Sequence, residues 1–245
     1  MRIPLVVANW KMNGSRDLCS KFSARLEEVP GVDIWLAPPF VYVHTLACDT
    51  RLRGFVSVGA QNVHGDVQGA FTGEVAATMV GDTGATFAIV GHSERRTIYR
   101  ENDTIVDRKL KSCLDANLIS VLCVGESLEQ RQEGSAQTVV QHQLQALKNL
   151  LETIQIAEVV VAYEPIWAIG TGISASPVDA EEMHGKIREY LGSERSDLRI
   201  LYGGSVNPKN AEELINQPNI DGFLVGGASL DPGSFNSICQ IVGRS

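Results

Sequence analysis

The chain lacks an excess of basic residues and lacks long apolar runs. Its 245 residues include 21 Lys and Arg against 29 Asp and Glu, which gives a formal net charge of −8 at pH 7. Non-specific binding to nucleic acids or anionic membranes depends on surplus basic side chains, so both are disfavoured. No apolar stretch approaches the roughly 20 residues that a membrane-spanning helix needs. We therefore expect neither nucleic acid nor membrane as a partner, and any anionic ligand must be held by local groups.

Cysteine is scarce and scattered. The five cysteines are Cys19, Cys48, Cys113, Cys123 and Cys239. Their number is odd and none forms a C-x-x-C pair with another, so neither a disulfide framework nor a zinc site is favoured. The apolar run at residues 1–8 is too short for a signal peptide before Asn9 interrupts it. These features predict a protein of the reducing cytoplasm with no bound metal.

Eight short runs rich in β-branched residues recur along the chain, with longer amphipathic segments between most of them. The runs begin near Leu5, Ile34, Val56, Phe87, Ile119, Val159, Leu198 and Ile220. This alternation predicts parallel strands joined by helical crossovers, in either an open doubly wound sheet or a closed barrel. Eight units in about 250 residues favour a closed (β/α)8 barrel. Because no linker-like or low-complexity stretch divides the chain, we expect one domain over residues 1–245.

Local signals predict where several helices lie. Residues 140–151 carry apolar side chains three or four positions apart, which is helical spacing. Ser176-Pro177 and Asn207-Pro208 each have the form of an N-cap followed by proline at the first helical position. We also expect Ser93 to cap a helix that begins at Glu94.

Most of the unusual polar residues follow the predicted strands. The candidates are Asn9 and Lys11 after the first run, His92 and Glu94 after the fourth, Glu164 after the sixth, Gly203-Gly204-Ser205 after the seventh, and Gly226-Gly227 after the eighth. In a parallel barrel the carboxyl ends of the strands form one rim, where active sites of this fold are built. We therefore expect these residues to converge there.

Three of these candidates admit both a chemical and a structural interpretation. Asn9 and Lys11 are two positions apart, so on extended chain both side chains would point to the same side; a strand-end lysine is also commonly just solvated. His92 could be a structural hydrogen-bonder. Beside a helix N-terminus, however, the dipole disfavours imidazolium, so we expect a neutral ring that can donate a hydrogen bond to a carbonyl.

Glu164 ends a buried apolar run, where a carboxylate is costly unless something uses it. The ordinary alternative is an ion pair at the rim with Lys11, Arg95 or Arg96. The next segment, residues 165–172, is apolar and then glycine-rich. This favours a hinged lid that would desolvate the carboxylate and make it a better base.

The glycine pairs after the last two runs predict an anion site. Backbone N–H groups at Gly203-Gly204-Ser205 and Gly226-Gly227 can hold a phosphate, which barrels of this kind commonly bind after strands seven and eight. Such amides would let an acidic protein bind an anionic substrate.

The segment 62–79 is a long glycine-bearing loop with Val67 and Phe71 near its tip. Loops of this length are usually functional or disordered. Apolar residues on a protrusion favour a docking surface, most simply for a second copy of the chain. A disordered loop is the alternative.

Six segments match, in order along the whole chain, the motifs of one enzyme family. They are residues 9–14 (NWKMNG), 69–74 (GAFTGE), 91–96 (GHSERR), 123–126 (CVGE), 162–172 (AYEPIWAIGTG) and 202–206 (YGGSV). Together they resemble the triosephosphate isomerase family. The resemblance implies a TIM barrel, a homodimer through the 62–79 loop, and cofactor-free interconversion of dihydroxyacetone phosphate and D-glyceraldehyde 3-phosphate, in glycolysis and gluconeogenesis.

The resemblance also implies a role for each catalytic candidate. Glu164 would move a proton between neighbouring carbons, and neutral His92 would polarise the carbonyl and move protons between the oxygens of the enediol. Lys11 would stabilise the enediolate charge, Asn9 would hydrogen-bond the same oxygens, and Glu94 matches the family's acidic partner in the site.

The phosphate site implied by the resemblance consists of Gly170, Ser205, Gly226 and Gly227. The chain departs from the common family pattern at the lid hinge, where Ile173-Ser174-Ala175 replaces Lys-Thr-Ala, and at the loop tip 65–68. Two other functions stay open at this point. One is a Schiff-base aldolase that uses Lys11, and the other is a phosphate-binding barrel without catalysis.

Overall fold

Eight parallel strands follow one another around a closed barrel. The computed structural model describes residues 2–151, 158–169, 175–192 and 197–245. The strands are β1 (Leu5–Asn9), β2 (Asp33–Ala37), β3 (Val56–Ala60), β4 (Phe87–Val90), β5 (Ile119–Val124), β6 (Val159–Tyr163), β7 (Arg199–Tyr202) and β8 (Gly222–Val225). Each pairs with the next, and β8 pairs with β1, so the predicted (β/α)8 barrel is confirmed.

Helices connect the strands on the outside of the barrel. They are α1 (Arg16–Arg25), α2 (Phe40–Ala47), α3 (Ala77–Asp82), α4 (Ser93–Ile98), α5 (Asp103–Asp115), α6 (Leu128–Gln132), α7 (Ala136–Leu150), α8 (Pro177–Leu191), α9 (Ala211–Ile215) and α10 (Pro232–Val242). Within the described ranges, no helix is both long enough and apolar enough to cross a membrane.

The strands alternate between two cores, as side chains of period two require. In β1, Leu5 and Val7 belong to the barrel interior, whereas Val6 and Ala8 pack under the helices. Trp35 and Phe87 stack inside the barrel with ring centroids 4.6 Å apart. Because both faces are buried along most of each strand, the strands are mainly apolar, which explains why eight apolar runs were readable in the sequence.

The last strand begins two residues later than predicted, at Gly222 instead of Ile220. Gly222 has φ 136° and pairs with Leu5 where the barrel closes. A Cβ at Gly222 would overlap the backbone of Leu5, so only glycine allows the two strands to meet there.

The predicted helix starts had mixed outcomes. Ser176 accepts a hydrogen bond from the Asp179 N–H and Pro177 opens α8, which confirms that cap. The helix predicted at Pro208 was wrong, because α9 begins only at Ala211. Asn207 and Asn210 instead bond locally, and their side chains accept the N–H groups of Lys209 and Asn207. These Asx contacts compete with a helical N-cap.

Candidate active site

A cavity of about 370 Å³ opens at the carboxyl ends of the strands and brings together most of the predicted site residues. Its lining includes Asn9, Lys11, His92, Glu164, Ser205, Gly226 and Gly227. The predicted convergence at one rim is therefore confirmed for these seven residues. Glu94 lies beside the cavity. Residues 170–172 of the predicted lid and residues 173–174 of its hinge lie outside the described residues, and Gly170 is among them.

Lys11 reaches the cavity through a turn. The prediction that Asn9 and Lys11 lie on extended chain was wrong, because β1 ends at Asn9 and Lys11 adopts φ 52°. The Asn9 side chain stabilises this left-handed turn by accepting the Lys11 backbone N–H at 3.0 Å. The Lys11 ammonium then pairs with Glu94, with Nζ 2.6 Å from Oε1. Lys11 therefore lies between the cavity and a carboxylate that holds it.

His92 itself caps α4, so the predicted cap at Ser93 was wrong. Its ring Nδ1 accepts the Glu94 backbone N–H at 3.2 Å. A nitrogen that accepts carries no proton, so in the neutral ring the proton lies on Nε2. That Nε2 is 2.9 Å from Oε1 of Glu164. The cap thus selects the tautomer that presents an N–H to the cavity.

Glu164 is 1% exposed at the end of β6. Its Oε2 accepts the Ser93 N–H at 2.8 Å, while Oε1 faces His92. Burial by itself raises the pKa of Glu164, but the contacts with His92 and Ser93 outweigh it and hold the pKa below its usual value. Burial likewise lowers the pKa of His92, and the facing charge of Glu164 reverses this and raises it.

The rim ion pairs considered for Glu164 do not involve the two arginines. Arg95 pairs with Glu101, and Arg96 pairs with Asp103. The carboxylate of Glu164 is therefore held by a histidine ring and a backbone amide, which leaves its charge available in the cavity.

Glycine at position 203 makes room for the Glu164 side chain, a role that sequence reasoning missed. A Cβ on Gly203 would lie 2.9 Å from Cγ of Glu164. The backbone N–H of Gly203 bonds the Tyr163 carbonyl at 2.8 Å, so the two strand ends are tied together at this point. The glycine after β7 was visible in the sequence, but its contact with the residue after the adjacent strand β6 was not.

The cavity lining also includes the predicted phosphate residues Ser205, Gly226 and Gly227. A Cβ on Gly227 would meet nothing within 4 Å, so the space beside this residue is open. Ser205 directs both its hydroxyl and its N–H to the Ala168 carbonyl, at 2.8 and 3.2 Å. Ser205 can contact an anion only after these bonds to the β6–α8 segment change.

Glu126 is a buried carboxylate to which the sequence analysis gave no role beyond its place in the 123–126 motif. Its Oε1 accepts the Tyr163 hydroxyl at 3.1 Å and the Trp167 indole N–H at 2.9 Å. It thereby anchors the chain just after Glu164. The sequence signal that could have revealed it is its position just after the β5 run, next to Gly125.

The loop predicted over 62–79 is shorter in the structure, because α3 begins at Ala77, and it exposes the two apolar side chains expected at its tip. Val67 is 57% and Phe71 44% exposed. The Phe71 ring packs against His64 at 4.3 Å between centroids, and His64 N–H bonds the Val75 carbonyl at 2.8 Å. The loop therefore presents an apolar surface on a defined backbone.

Comparison with known proteins identifies the family. The sequence pattern of the family described as triosephosphate isomerase matches residues 4–242. The chain belongs to the triosephosphate isomerase family.

Several relatives match along nearly their whole length. The triosephosphate isomerase of Nitrosococcus oceani is 45% identical over 252 residues, covering 99% of this chain and all of the relative. That of Alcanivorax borkumensis is 44% identical over 244 residues, with 98% of each chain covered. That of a Roseiflexus species is 45% identical over 251 residues, covering 99% of this chain and 98% of the relative.

Proposed function

We propose that this chain interconverts dihydroxyacetone phosphate and D-glyceraldehyde 3-phosphate by proton transfer through an enediol or enediolate. Family membership and the relatives' names support the reaction. The observation that carries the assignment is that Glu164 and His92 face each other at the cavity, with Oε1 of Glu164 2.9 Å from Nε2 of His92. One group can take a proton from carbon while the other donates to the carbonyl oxygen.

Glu164 acts as the base and His92 as the electrophile. The hydrogen bond between them must break for substrate to reach both groups, so the Glu164 carboxylate has to move away from the His92 ring. The charge that raises the pKa of His92 then moves away, and burial favours the neutral ring. A neutral Nε2–H donor suits a carbonyl that becomes an enediolate oxygen, because it stabilises charge and can also shuttle the proton.

Lys11 and Asn9 stabilise the negative charge that develops on the substrate oxygens. Lys11 supplies a fixed positive charge that Glu94 holds in place at 2.6 Å. Asn9 uses its Oδ1 on the Lys11 N–H, so its amide nitrogen is the group that can donate to substrate. Every step is a proton transfer, which these side chains can perform without a cofactor.

The phosphate is held by backbone amides at Gly226 and Gly227, together with Ser205 and Gly170. Gly226 and Gly227 support this role because both line the cavity that also contains Lys11. Binding exchanges the Ser205 bonds to Ala168 for bonds to phosphate, which couples phosphate binding to movement of the chain after Glu164.

We further propose a cytoplasmic homodimer in which the whole chain acts as one domain. All five cysteines are free, which suits a reducing compartment. The exposed Val67 and Phe71 on the 62–79 loop support a contact with a second copy.

The other two functions are not favoured. A Schiff-base aldolase needs a lysine nitrogen that is free to attack a carbonyl carbon, whereas the Lys11 Nζ lies 2.6 Å from Oε1 of Glu94. A non-catalytic phosphate-binding barrel would need no base facing a histidine donor beside the anion site.

The proposal is tested with a coupled assay of the isomerisation in both directions, using the wild-type chain and Glu164→Asp. The shorter side chain retracts the carboxylate by about one carbon length, so we expect kcat to fall by about 10²-fold. Glu189→Asp, at an exposed position on α8, is the matched control and should behave as wild type. A wild-type chain without isomerase activity would overturn the function, and near-normal turnover of Glu164→Asp would overturn the base.

A further inference from the structure

The side chain of Gln143 on α7 binds both polar groups of Gly125, the residue that follows β5. Its Oε1 accepts the Gly125 N–H at 2.7 Å, and its Nε2 donates to the Gly125 carbonyl at 3.0 Å. A carboxamide that binds an N–H and a C=O of one residue imitates the backbone of a neighbouring strand. Gln143 is partly buried and lies outside the cavity lining.

Gln143 makes these bonds at the end of β5, beyond the point where β4 stops pairing with it. The β4–β5 ladder ends at the pair Val90 and Leu122. On its other side β5 continues to pair, since Glu164 N–H bonds the Val124 carbonyl at 2.7 Å and Ile166 N–H bonds the Glu126 carbonyl at 3.1 Å.

Alternate residues of a parallel strand bond to opposite neighbours. With residues 124 and 126 bonded to the β6 side, the polar groups of Gly125 face the side where β4 has ended. Backbone groups left there without a partner would cost free energy and loosen the strand end. Gln143 supplies both missing hydrogen bonds.

The Gly125 peptide also lies directly against the backbone of the base. A Cβ on Gly125 would overlap the Glu164 carbonyl, so no side chain separates the two segments. Closely packed backbone transmits small displacements, and a shift of Gly125 must therefore move Glu164. The contact chain runs from the Gln143 amide through the Gly125 peptide to the main chain of Glu164.

We propose that Gln143 is a positioning residue for Glu164. By holding the Gly125 peptide, it fixes the backbone from which the carboxylate extends, without touching the substrate. This inference rests on the proposed isomerase function and on Glu164 as its base.

The test replaces Gln143 with Met, which keeps the length of the side chain and removes both hydrogen bonds. We expect kcat to fall by about tenfold with KM changed less than twofold, because a displaced base impairs the chemical step more than substrate binding. The primary deuterium isotope effect at the transferred carbon proton should rise as that step becomes more rate-limiting. Gln145→Met is the matched control, since Gln145 is exposed on the same helix and bonds Asn149 and Tyr190.

A double-variant cycle separates positioning from simple damage to the fold. In Glu164→Asp the base is already displaced, so Gln143→Met should cost clearly less there than in wild type. Fully additive losses, or a kcat loss that only matches a reduced folded fraction by circular dichroism, would overturn the inference. Normal kcat in a folded Gln143→Met would do the same and leave the isomerase function intact, whereas an inactive wild type would overturn the function itself.

Discussion

Glu164 is held at the residue scale by two donors from adjacent positions, the His92 ring and the Ser93 amide. A fully buried carboxylate without partners would cost several kcal/mol. Because a histidine ring and a backbone amide stabilise the carboxylate by donating hydrogen bonds and supply no permanent positive charge, the carboxylate remains a base. An arginine partner would instead have neutralised it.

Gly203→Ala tests how tightly the space around this base is defined. The added methyl would lie 2.9 Å from Cγ of Glu164, so either the side chain or the strand end must move. We expect kcat to fall at least about tenfold, from a displacement well below 1 Å, and stability to fall by about 1–3 kcal/mol. The coupled assay and urea unfolding measure the two effects.

The control for this variant is Gly81→Ala in α3, where an added Cβ meets nothing within 4 Å. Alanine favours helix over glycine, so this control should keep full activity and unchanged or slightly higher stability. Unchanged kcat in Gly203→Ala would mean that Glu164 has room to relax, which contradicts the role given to Gly203.

At the scale of elements, α8 packs on β6 and β7 through a buried histidine. The His184 ring lies between Tyr163 and Tyr202, with centroids 5.7 and 6.4 Å away. These tyrosines are linked to both ends of the segment that follows Glu164. The Tyr163 hydroxyl donates to Glu126, which also accepts the Trp167 indole N–H, and the Tyr202 hydroxyl accepts the Ala175 N–H at 3.2 Å. A helix thus supports both attachments of the chain that contains the predicted lid.

His184 makes the stability of this packing depend on pH. Its Nδ1 donates to the Asn219 carbonyl, and Nε2 has no hydrogen-bond partner in the described part of the chain. Burial lowers the pKa of His184 to about 3, against about 6.5 when unfolded. Between these values the unfolded chain binds a proton that the folded chain does not, so the free energy of unfolding falls as pH falls, by about 1.4 kcal/mol per unit.

Urea unfolding at fixed protein concentration between pH 7 and pH 5 measures this slope. His184→Phe should lose the contribution of His184, while His142→Phe, at an exposed position on α7, should keep it. The same slope in His184→Phe as in wild type would show that this ring is not the titrating group.

On the scale of the whole molecule, an acidic chain binds an anionic substrate without the help of bulk charge. The net charge is −8, and the cavity contains a local cation at Lys11 and backbone amides at Gly226 and Gly227. Backbone amides attract anions through fixed dipoles, so they work irrespective of the sign of the surface.

The proposed dimer is tested at this scale by sedimentation. We expect the wild-type chain to sediment as a dimer at micromolar concentration, and Phe71→Asp to weaken association at least tenfold, because a charge would replace buried aromatic surface. The control is Ile3→Asp, also an exposed apolar position but ahead of β1 at the other end of the barrel. A monomeric wild type, or an unaffected Phe71→Asp dimer, would contradict the proposal.

Sequence reasoning worked best where the signal is local and repeated. The barrel, the Ser176-Pro177 helix start and the gathering of Asn9, Lys11, His92 and Glu164 were all predictable, because apolar periodicity and cap chemistry act over a few residues. The failures were also informative. The cap expected at Ser93 is made by the preceding residue, His92, whose ring also contacts Glu164 at the end of a strand distant in sequence.

By itself, the sequence determined the order of strands and helices and placed the chemistry at the strand ends. Both follow from interactions between near neighbours along the chain. Only the tertiary structure decided which nitrogen of His92 faces the cavity, which donors hold Glu164 and why glycine occupies position 203. These depend on atoms brought together across the barrel, such as Ser93 and Glu164, which are 71 positions apart.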